Sequence, residues 1–168
     1  MSVDKFASMV HYIIDKCGHK GNVGKTVLYK LCYFSDFDYY ELYEEHLTGV
    51  RYFKNAHGPA PNFNDYVAAI DKLERAGAIA VYQDEYYNRP QKHYVSLRKP
   101  DMSIFTENEV KVIDSVIDRL SDKSAKDISA WSHEDTPWRI AENGEELDYE
   151  AVFYRSPKTS VRIYDEDN

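Results

Sequence analysis

The 168-residue chain has the length of one compact domain, and its formal net charge of -8 argues against a general nucleic-acid binder, whose basic side chains must outnumber the acids on the binding face. No apolar run approaches the roughly 20 residues that span a bilayer, and the N-terminus lacks the basic and apolar regions of an export signal. We therefore expect a cytoplasmic protein without a membrane partner, and the acidic balance favours a basic protein as its partner.

Two helices are predicted at the start of the chain. The first ends at Gly18, and its apolar residues follow helical spacing: Phe6, Val10, Ile13, Ile14 and Cys17. The second is expected to begin near Thr26, whose hydroxyl can cap it, and to extend to about Glu45. Cys17 and Cys32 lie on the apolar faces of these helices, so we expect two buried thiols.

The linker CGHKGNVGKT, residues 17–26, has the composition of a phosphate-binding loop. That loop requires a glycine five residues before Gly24, where this chain has His19, and both Gly18 and Gly21 are out of register. The segment before the linker is also predicted to be a helix, whereas a phosphate loop follows a strand. We therefore interpret the linker as a helix–helix connection and expect no nucleotide site.

The middle of the chain alternates strands and a helix. Residues 50–54 indicate a short strand, which the prolines and glycine of residues 56–61 are expected to end. A helix over about residues 62–76 should stop at Gly77 and turn these residues inward: Phe63, Tyr66, Val67, Ile70 and Leu73. Residues 78–83 and 92–98 then predict a hairpin that turns at residues 88–90, with Val95 and Leu97 facing the core.

Two helices and a short turn complete the predicted fold. Thr106 and Glu109 have the spacing of a capping box before a helix with this core face: Val110, Ile113, Ile117 and Leu120. Ser124 and Asp127 repeat that spacing before a shorter helix, and a last helical turn is expected at residues 151–153. The fold class is therefore mainly α with a small antiparallel β-element (α+β), a helical domain with a winged-helix-like hairpin. Residues 156–168 are expected to form a loose tail.

Three motifs carry a family resemblance: TVLYKLCYFSDFDYY at residues 26–40, HGPAP at 57–61 and WSHEDTPW at 131–138. Their motif residues are Lys30, Leu31, Tyr33, Phe34, Asp36, Gly58, Pro59, Ser132, His133, Pro137 and Trp138. In order and spacing these motifs resemble the Panacea domain of the SocA-type antitoxin family, also found among phage-associated proteins, over residues 1–155. We expect Leu31, Phe34 and Trp138 in the core.

The resemblance implies that the chain is the antitoxin of a type II toxin–antitoxin pair, which neutralises a cognate protein toxin by direct binding. It also allows a role as an adaptor that delivers the toxin to a protease such as ClpXP. It implies no enzyme activity, so no catalytic residue, cofactor or metal is expected, and the motif residues are interpreted as structural. The histidine and acids of SHED, residues 132–135, do not have the spacing of metal ligands on a helix, and Ser132 or Asp135 is expected to cap a helix instead.

The acidic stretch of the second helix is the candidate partner surface. The candidate contact residues are Asp36, Asp38, Tyr40, Glu41, Tyr43, Glu44 and Glu45. An acidic, tyrosine-rich face would suit a toxin with a basic surface, whereas the alternative interpretation is a solvated helix face that only aids solubility.

A winged-helix DNA-binding regulator and a phage-associated protein-interaction module are the alternative functions. The hairpin carries Arg89, Lys92, His93, Arg98 and Lys99, which would suit a wing that contacts phosphates. The helix before it, however, carries three acids against two basic residues, and acids that face phosphates are repelled. We therefore do not expect nucleic acid as a partner.

Overall fold

The computed structural model describes residues 3–86 and 89–165. Its elements in chain order are α1 (Val3–Cys17), α2 (Lys25–Tyr43), β1 (Tyr52–Asn55), β2 (Gly58–Pro61), α3 (Phe63–Arg75), β3 (Ile79–Tyr86), β4 (Arg89–Ser96), α4 (Glu107–Leu120), α5 (Ala125–His133), α6 (Thr136–Ile140) and a 3-10 helix, Tyr149–Tyr154. Strands β1 and β2 form one antiparallel pair and β3 and β4 another. The prediction of a mainly helical α+β fold is confirmed.

Helix α2 is the central element of the fold. It packs against α1, α4, α5, β2 and the 3-10 helix, so nearly every side chain from Val27 to Tyr39 is buried. Polar residues of α2 are therefore enclosed together with the apolar ones. Cys17 and Cys32 are both buried, as the sequence predicts. The N-cap of α2 is Gly24 without a side-chain cap, so the prediction that Thr26 caps this helix is wrong.

Local capping signals hold well elsewhere. Thr106 accepts from the backbone N–H of Glu109, whose carboxylate in turn accepts from the N–H of Thr106, which confirms the predicted capping box of α4. Ser124 caps α5 through the N–H of Asp127. As expected, a glycine follows the end of two helices. Gly18 comes directly after Cys17, the last residue of α1, and Gly77 lies two residues after Arg75, the last residue of α3.

The segment Gly58–Pro61 forms a strand, where the sequence predicts only a break. It pairs with β1 in the register Tyr52↔Pro61 to Asn55↔Gly58. The opposite edge of β1 is covered by residues 145–147, through bonds such as Leu147 N–H to the Tyr52 carbonyl at 2.8 Å. Because β2 is the outer strand, its two prolines need not donate to a further neighbour.

On α3 and β4, some residues that the sequence predicts to be buried are exposed in the structure. On α3, Phe63 and Val67 are 66% and 45% exposed, whereas Tyr66, Ala69 and Leu73 face the core. On β4, Val95 and Leu97 are exposed and Tyr94 points inward, where its hydroxyl lies 2.5 Å from that of Tyr66. Both predictions of inward-facing residues were wrong at these four positions.

The ends of the hairpin and of the chain also differ from expectation. The two strands extend to Tyr86 and Arg89, so residues 89–90 belong to β4, while the expected turn residue at position 88 lies outside the described residues. The last helical turn is present as the 3-10 helix. The predicted loose tail spans residues 156–168, but residues 160–164 of it bond to Glu41 and Glu44 of α2. Residues 166–168 lie outside the described residues. In the part of the chain that the structure describes, no helix is long and apolar enough to cross a membrane.

Candidate functional site

The acidic stretch of α2 divides into a buried part and an exposed part. Asp36, Asp38 and Glu41 are buried, so the expectation that they face a partner is wrong. The physical reason is the central position of α2, whose acidic side is covered by the loop at Thr48 and by Arg155. Tyr40 is half-buried, and Tyr43, Glu44 and Glu45 remain exposed at the C-terminal end of the helix.

Two of the buried acids bind a buried arginine from the far end of the chain. Arg155 donates from Nη1 to Asp38 at 2.8 Å and to Glu41 at 2.9 Å. Its Nε and Nη2 donate to the two carboxylate oxygens of Asp135, each at 2.9 Å. Burial disfavours the guanidinium charge, but the carboxylates of Asp38 and Asp135 outweigh this and hold the pKa of Arg155 well above its usual value. We call these four residues the Arg155 cluster.

Glu41 also attaches the C-terminal segment to α2. Its carboxylate accepts from Ser160 Oγ at 2.5 Å, from the backbone N–H of Val161 at 3.0 Å and from Tyr164 OH at 2.9 Å. Burial alone would raise the pKa of Glu41, but these donors together with Arg155 lower it. The Glu41 carboxylate therefore joins residues 160–164 to the helix through three hydrogen bonds.

Asp36 attaches the loop after α2 to the helix. Its carboxylate accepts from the backbone N–H and the hydroxyl of Thr48, both at 2.8 Å, and from Tyr52 OH at 2.6 Å. Burial raises the pKa of Asp36 to about 6, against the opposing effect of these hydrogen bonds. This motif residue has a structural role in joining α2 to β1.

The three sequence motifs converge beneath the β1–β2 hairpin. Lys30 comes from α2, Gly58 from β2, Ser132 and His133 from the end of α5, and Trp138 from α6. We call these five residues the motif junction. A Cβ atom built on Gly58 would lie 2.4 Å from Ser132 Oγ and 2.7 Å from Lys30 Cε, so the three segments meet at this glycine.

Neither Ser132 nor Asp135 caps a helix with its side chain, so the prediction that one of them does is wrong. Ser132 donates to the carbonyl of Ser129 at 2.7 Å, and Asp135 occupies the N-cap position of α6 without a side-chain cap bond, because its carboxylate is bound by Arg155 and by Tyr33 OH. His133 stacks on Trp138, with ring centroids 4.1 Å apart.

Trp138 connects α6 to the β1–β2 hairpin, as expected of a corner residue. Its Nε1 donates to the Asn55 carbonyl at 3.1 Å, and Lys54 Nζ lies 4.1 Å from its ring centroid. Leu31 and Phe34 are buried as predicted, whereas Trp138 is only half-buried. Pro137 lies in the first turn of α6, where its missing N–H has no consequence.

Lys30 is the least compensated charge of the motif junction. It is 2% exposed, and among the residues that the structure describes its ammonium has no hydrogen bond and no ion pair. Burial lowers the pKa of Lys30 to about 8. No pattern in the sequence indicates the burial of Lys30, because a lysine in a helix is normally solvated.

We predict that Lys30→Met stabilises the fold at pH 7, by up to about 3 kcal/mol. At a pH below the folded pKa of about 8, the amine is protonated in both the folded and the unfolded state, so the folded state bears the whole free-energy cost of burying the charge. Between about 8 and the ordinary value of 10.5 the folded state loses its proton first, so the wild-type protein becomes more stable relative to the variant as pH rises.

Urea unfolding at pH 7, 8.5 and 10 measures the difference in free energy of unfolding between Lys30→Met and the wild-type protein, with Lys25→Met as the control. Lys25 lies on the same helix but is exposed, so its variant should differ little from wild type at every pH. A Lys30→Met variant that is less stable than wild type at pH 7 would contradict the prediction.

The glycine-rich linker does not form a phosphate loop. It follows helix α1 instead of a strand, as expected, and leads into the N-terminus of α2. A surface cavity of about 520 Å³ lies beside it, bordered by Lys25, Thr26, Gln91 and Ser124 among other residues. Lys25 Nζ lies 5.7 Å from the centroid of the Tyr29 ring. No group of three or more potential metal ligands is present within residues 3–86 and 89–165.

The charges of α3 do not suit a DNA-recognition helix. Its Lys72 pairs with Asp4 and its Arg75 pairs with Asp71 at 2.9 Å, so both basic side chains are engaged within the protein. In its N-terminal half, the apolar Phe63 and Val67 are exposed, and the exposed polar residue between them is the uncharged Asn64. A helix followed by a hairpin is present, but the helix offers no free basic surface for phosphates.

Comparison with known proteins gives one family. The family model described as "Antitoxin SocA-like, Panacea domain" matches residues 28–139, more than half of the chain. No curated protein and no solved structure is similar enough to this chain to give a match. The matched region contains all three sequence motifs from Leu28 onward, and hence the whole motif junction and both acids of α2 that bind Arg155. The chain therefore belongs to the SocA-like antitoxin family and contains its Panacea domain.

Proposed function

We propose that the chain is an antitoxin that neutralises a protein toxin by direct binding, without catalysis and without a cofactor. The observation that carries this proposal is the family match over residues 28–139. The geometry supports it, because the buried carboxylates Asp36, Asp38 and Glu41 of α2 are engaged in bonds that hold the fold together. Such a framework suits a protein that presents a surface to a partner.

The exposed end of α2 is the surface that we propose for toxin contact. Tyr43 is 40% exposed, and its ring packs at a tilt against that of Tyr39, with ring centroids 4.8 Å apart. Glu44 and Glu45 follow it and add negative charge. Tyrosine beside acidic side chains is a common composition at protein interfaces with basic partners.

Co-expression with the protein encoded by the adjacent open reading frame tests the function. Growth should stop when that protein is produced alone and resume when this chain is co-produced, with the two proteins co-purifying. The same assay in cells that lack ClpXP separates sequestration from delivery, since sequestration does not need the protease. Rescue without a stable complex would contradict neutralisation by direct binding.

We predict that reversing Glu44 and Glu45 to lysine lowers the association rate with the toxin and reduces its dependence on salt. Charges at the rim of an interface act mainly on the encounter rate. Tyr43→Ala should instead raise the dissociation rate and weaken the binding free energy by about 1 to 3 kcal/mol if the ring is an interface anchor. Surface plasmon resonance at two salt concentrations measures both effects.

The matched control reverses Glu142 and Glu145, two exposed acids on another loop, and makes the same change in net charge. If both double variants change the association rate equally, only the overall charge matters. In that case the end of α2 is not the contact surface.

A further inference from the structure

The C-terminal segment lies against the end of α2 that we propose for toxin contact. We call residues 160–164 the C-terminal strap. Within it, Arg162 donates from Nη1 to the carboxylate of Glu44 at 3.1 Å and to the backbone carbonyl of Glu41 at 3.2 Å. Glu44 is one of the acids proposed to meet the toxin, so the chain already places an arginine of its own on that acid.

The strap also adjoins Tyr43, the aromatic residue of the proposed surface. A cavity of about 220 Å³ is bordered by Tyr43 from α2, by Val161 from the strap, and by Lys111 and Arg119 from α4, among other residues. Val161 therefore forms one wall of the hollow beside Tyr43, and departure of the strap would widen this hollow. The strap and the proposed toxin surface are continuous.

Polar contacts, with little apolar burial, hold the strap in place. Ile163 is 96% exposed and Tyr164 is 45% exposed, and among the described residues the strap belongs to no helix or strand. The side chains of the Arg162–Glu44 pair are 33% and 63% exposed, and ion pairs at such exposure contribute little to stability. A segment with few buried apolar contacts opens at a lower free energy than the core of a fold.

Opening of the strap would free one oxygen of a buried carboxylate. Glu41 Oε2 accepts from the hydroxyls of Ser160 and Tyr164, at 2.5 and 2.9 Å, and both of these residues belong to the strap. Glu41 Oε1 would stay bound to Arg155, at 2.9 Å. The strap's guanidinium contacts the backbone of Glu41 and the side chain of Glu44, so the two residues lie within reach of one arginine.

On the basis of the proposed function, we propose that the toxin displaces the C-terminal strap and places an extended segment with an arginine in its position, on Glu41 and Glu44. The strap indicates which chemistry this surface accepts, namely hydroxyls and a backbone N–H on Glu41 and a guanidinium on Glu44. The strap is then an internal competitor. The apparent toxin affinity is the intrinsic affinity multiplied by the fraction of molecules in which the strap is open.

Amide hydrogen exchange in the free, full-length protein tests whether the strap opens. The reporter is the N–H of Val161, which donates to Glu41 Oε1 at 3.0 Å, and the reference is the N–H of Leu31 in the middle of α2. We expect Val161 to be at least about 100-fold less protected than Leu31, with exchange that is insensitive to low urea, because local opening exposes little surface. If Val161 exchanges only through global unfolding, the proposal is wrong.

The same amide in the presence of toxin distinguishes displacement from docking beside the strap. Displacement breaks the hydrogen bond between Val161 and Glu41, so the Val161 N–H should lose its protection in the complex. If the toxin binds and this amide keeps or gains protection, the displacement is contradicted while the proposed function stands. If the protein from the adjacent reading frame does not bind at all, the proposed function is contradicted, and this inference with it.

Replacement of Arg162 by methionine should raise the Val161 exchange rate and the toxin affinity by the same factor, up to about fivefold. Loss of the ion pair with Glu44 raises the open fraction, and both quantities are proportional to that fraction while the strap is mostly closed. Hydrogen exchange and surface plasmon resonance measure the two factors independently.

The matched control is Lys158→Met, which makes the same change in net charge just outside the strap. Lys158 is exposed and pairs with Glu134 at 3.6 Å, so its loss should leave the Val161 exchange rate unchanged and alter toxin binding only through net charge. If Arg162→Met lowers the toxin affinity, or raises it no more than Lys158→Met does, the strap is not an internal competitor and the proposal is wrong.

Discussion

Replacement of Arg155 by methionine should destabilise the protein by at least about 3 to 5 kcal/mol at pH 7. The side chain is completely buried, and its removal would leave Asp38, Glu41 and Asp135 close together without the guanidinium that now binds all three. Arg119 would still pair with Asp38 at 2.8 Å, but it does not reach the other two acids. Urea unfolding followed by circular dichroism measures the loss.

The pH dependence of the variant identifies the cause. Without Arg155, burial and mutual repulsion would raise the folded pKa values of these carboxylates above their unfolded values. Stability is then lost as pH rises through that window, so the variant should recover relative to wild type as pH falls from 7 toward 5. A merely packing-related defect would give a gap between variant and wild type that does not change with pH.

Two controls separate charge, geometry and location. Arg155→Lys keeps a positive charge but cannot bind both oxygens of Asp135, so its loss should be intermediate. Arg162→Met removes a partly exposed arginine from the same C-terminal segment, where it contacts Glu44 at 3.1 Å, and should cost about 1 kcal/mol or less. Equal stability of the Arg155→Met and Arg162→Met variants would refute the structural role of the cluster.

The Arg155 cluster also explains why the acidic stretch of α2 was misinterpreted from the sequence. Charge runs on helices are usually solvated, and only a partner can make their burial favourable. Here the partner is more than 100 residues away in the chain, directly after the last helical turn. Local spacing contains no information about such a pair, so the sequence alone predicts that the acids lie on the surface and that residues 156–168 form a loose tail.

The elements that the sequence predicts well depend on local chemistry. The capping box of Thr106 and Glu109 and the glycine after α1 act within one helical turn, so their pattern is complete in the sequence. The prediction of the inward face of the hairpin was wrong because both faces of β4 carry apolar residues. Tyr94 and Val95 are adjacent and point to opposite faces, and packing against α1 and the hydroxyl of Tyr66 decide which one is buried.

The motif junction was predicted in part. The three motifs were identified by resemblance, but their convergence on one point depends on how α2, α5 and the β1–β2 hairpin pack, which spacing does not show. Among the glycines, Gly58 leaves the least room for a Cβ atom. It also has a backbone φ of 116°, which is outside the range that side chains with a Cβ readily adopt.

Substitution of Gly58 by alanine should therefore destabilise the fold by about 3 kcal/mol or more, through two separable effects. The first is backbone strain at positive φ, of order 1 to 3 kcal/mol. The second is overlap of the new methyl group with Ser132 Oγ at 2.4 Å and Lys30 Cε at 2.7 Å, of similar size. The midpoint of urea unfolding measures the sum.

Three further variants divide that sum into its parts. Gly77→Ala has a positive φ of 69° with no atom within 4 Å, so it should show only the strain, about 1 kcal/mol. Gly21→Ala has neither feature and should be close to neutral. In the double variant Gly58→Ala with Ser132→Ala the closest overlap is removed, so the cost of Gly58→Ala should be smaller in the Ser132→Ala background than in wild type. If Gly58→Ala costs no more than Gly77→Ala, or if removing the Ser132 hydroxyl does not lessen its cost, the three motif segments do not meet at Gly58 as closely as the structure shows.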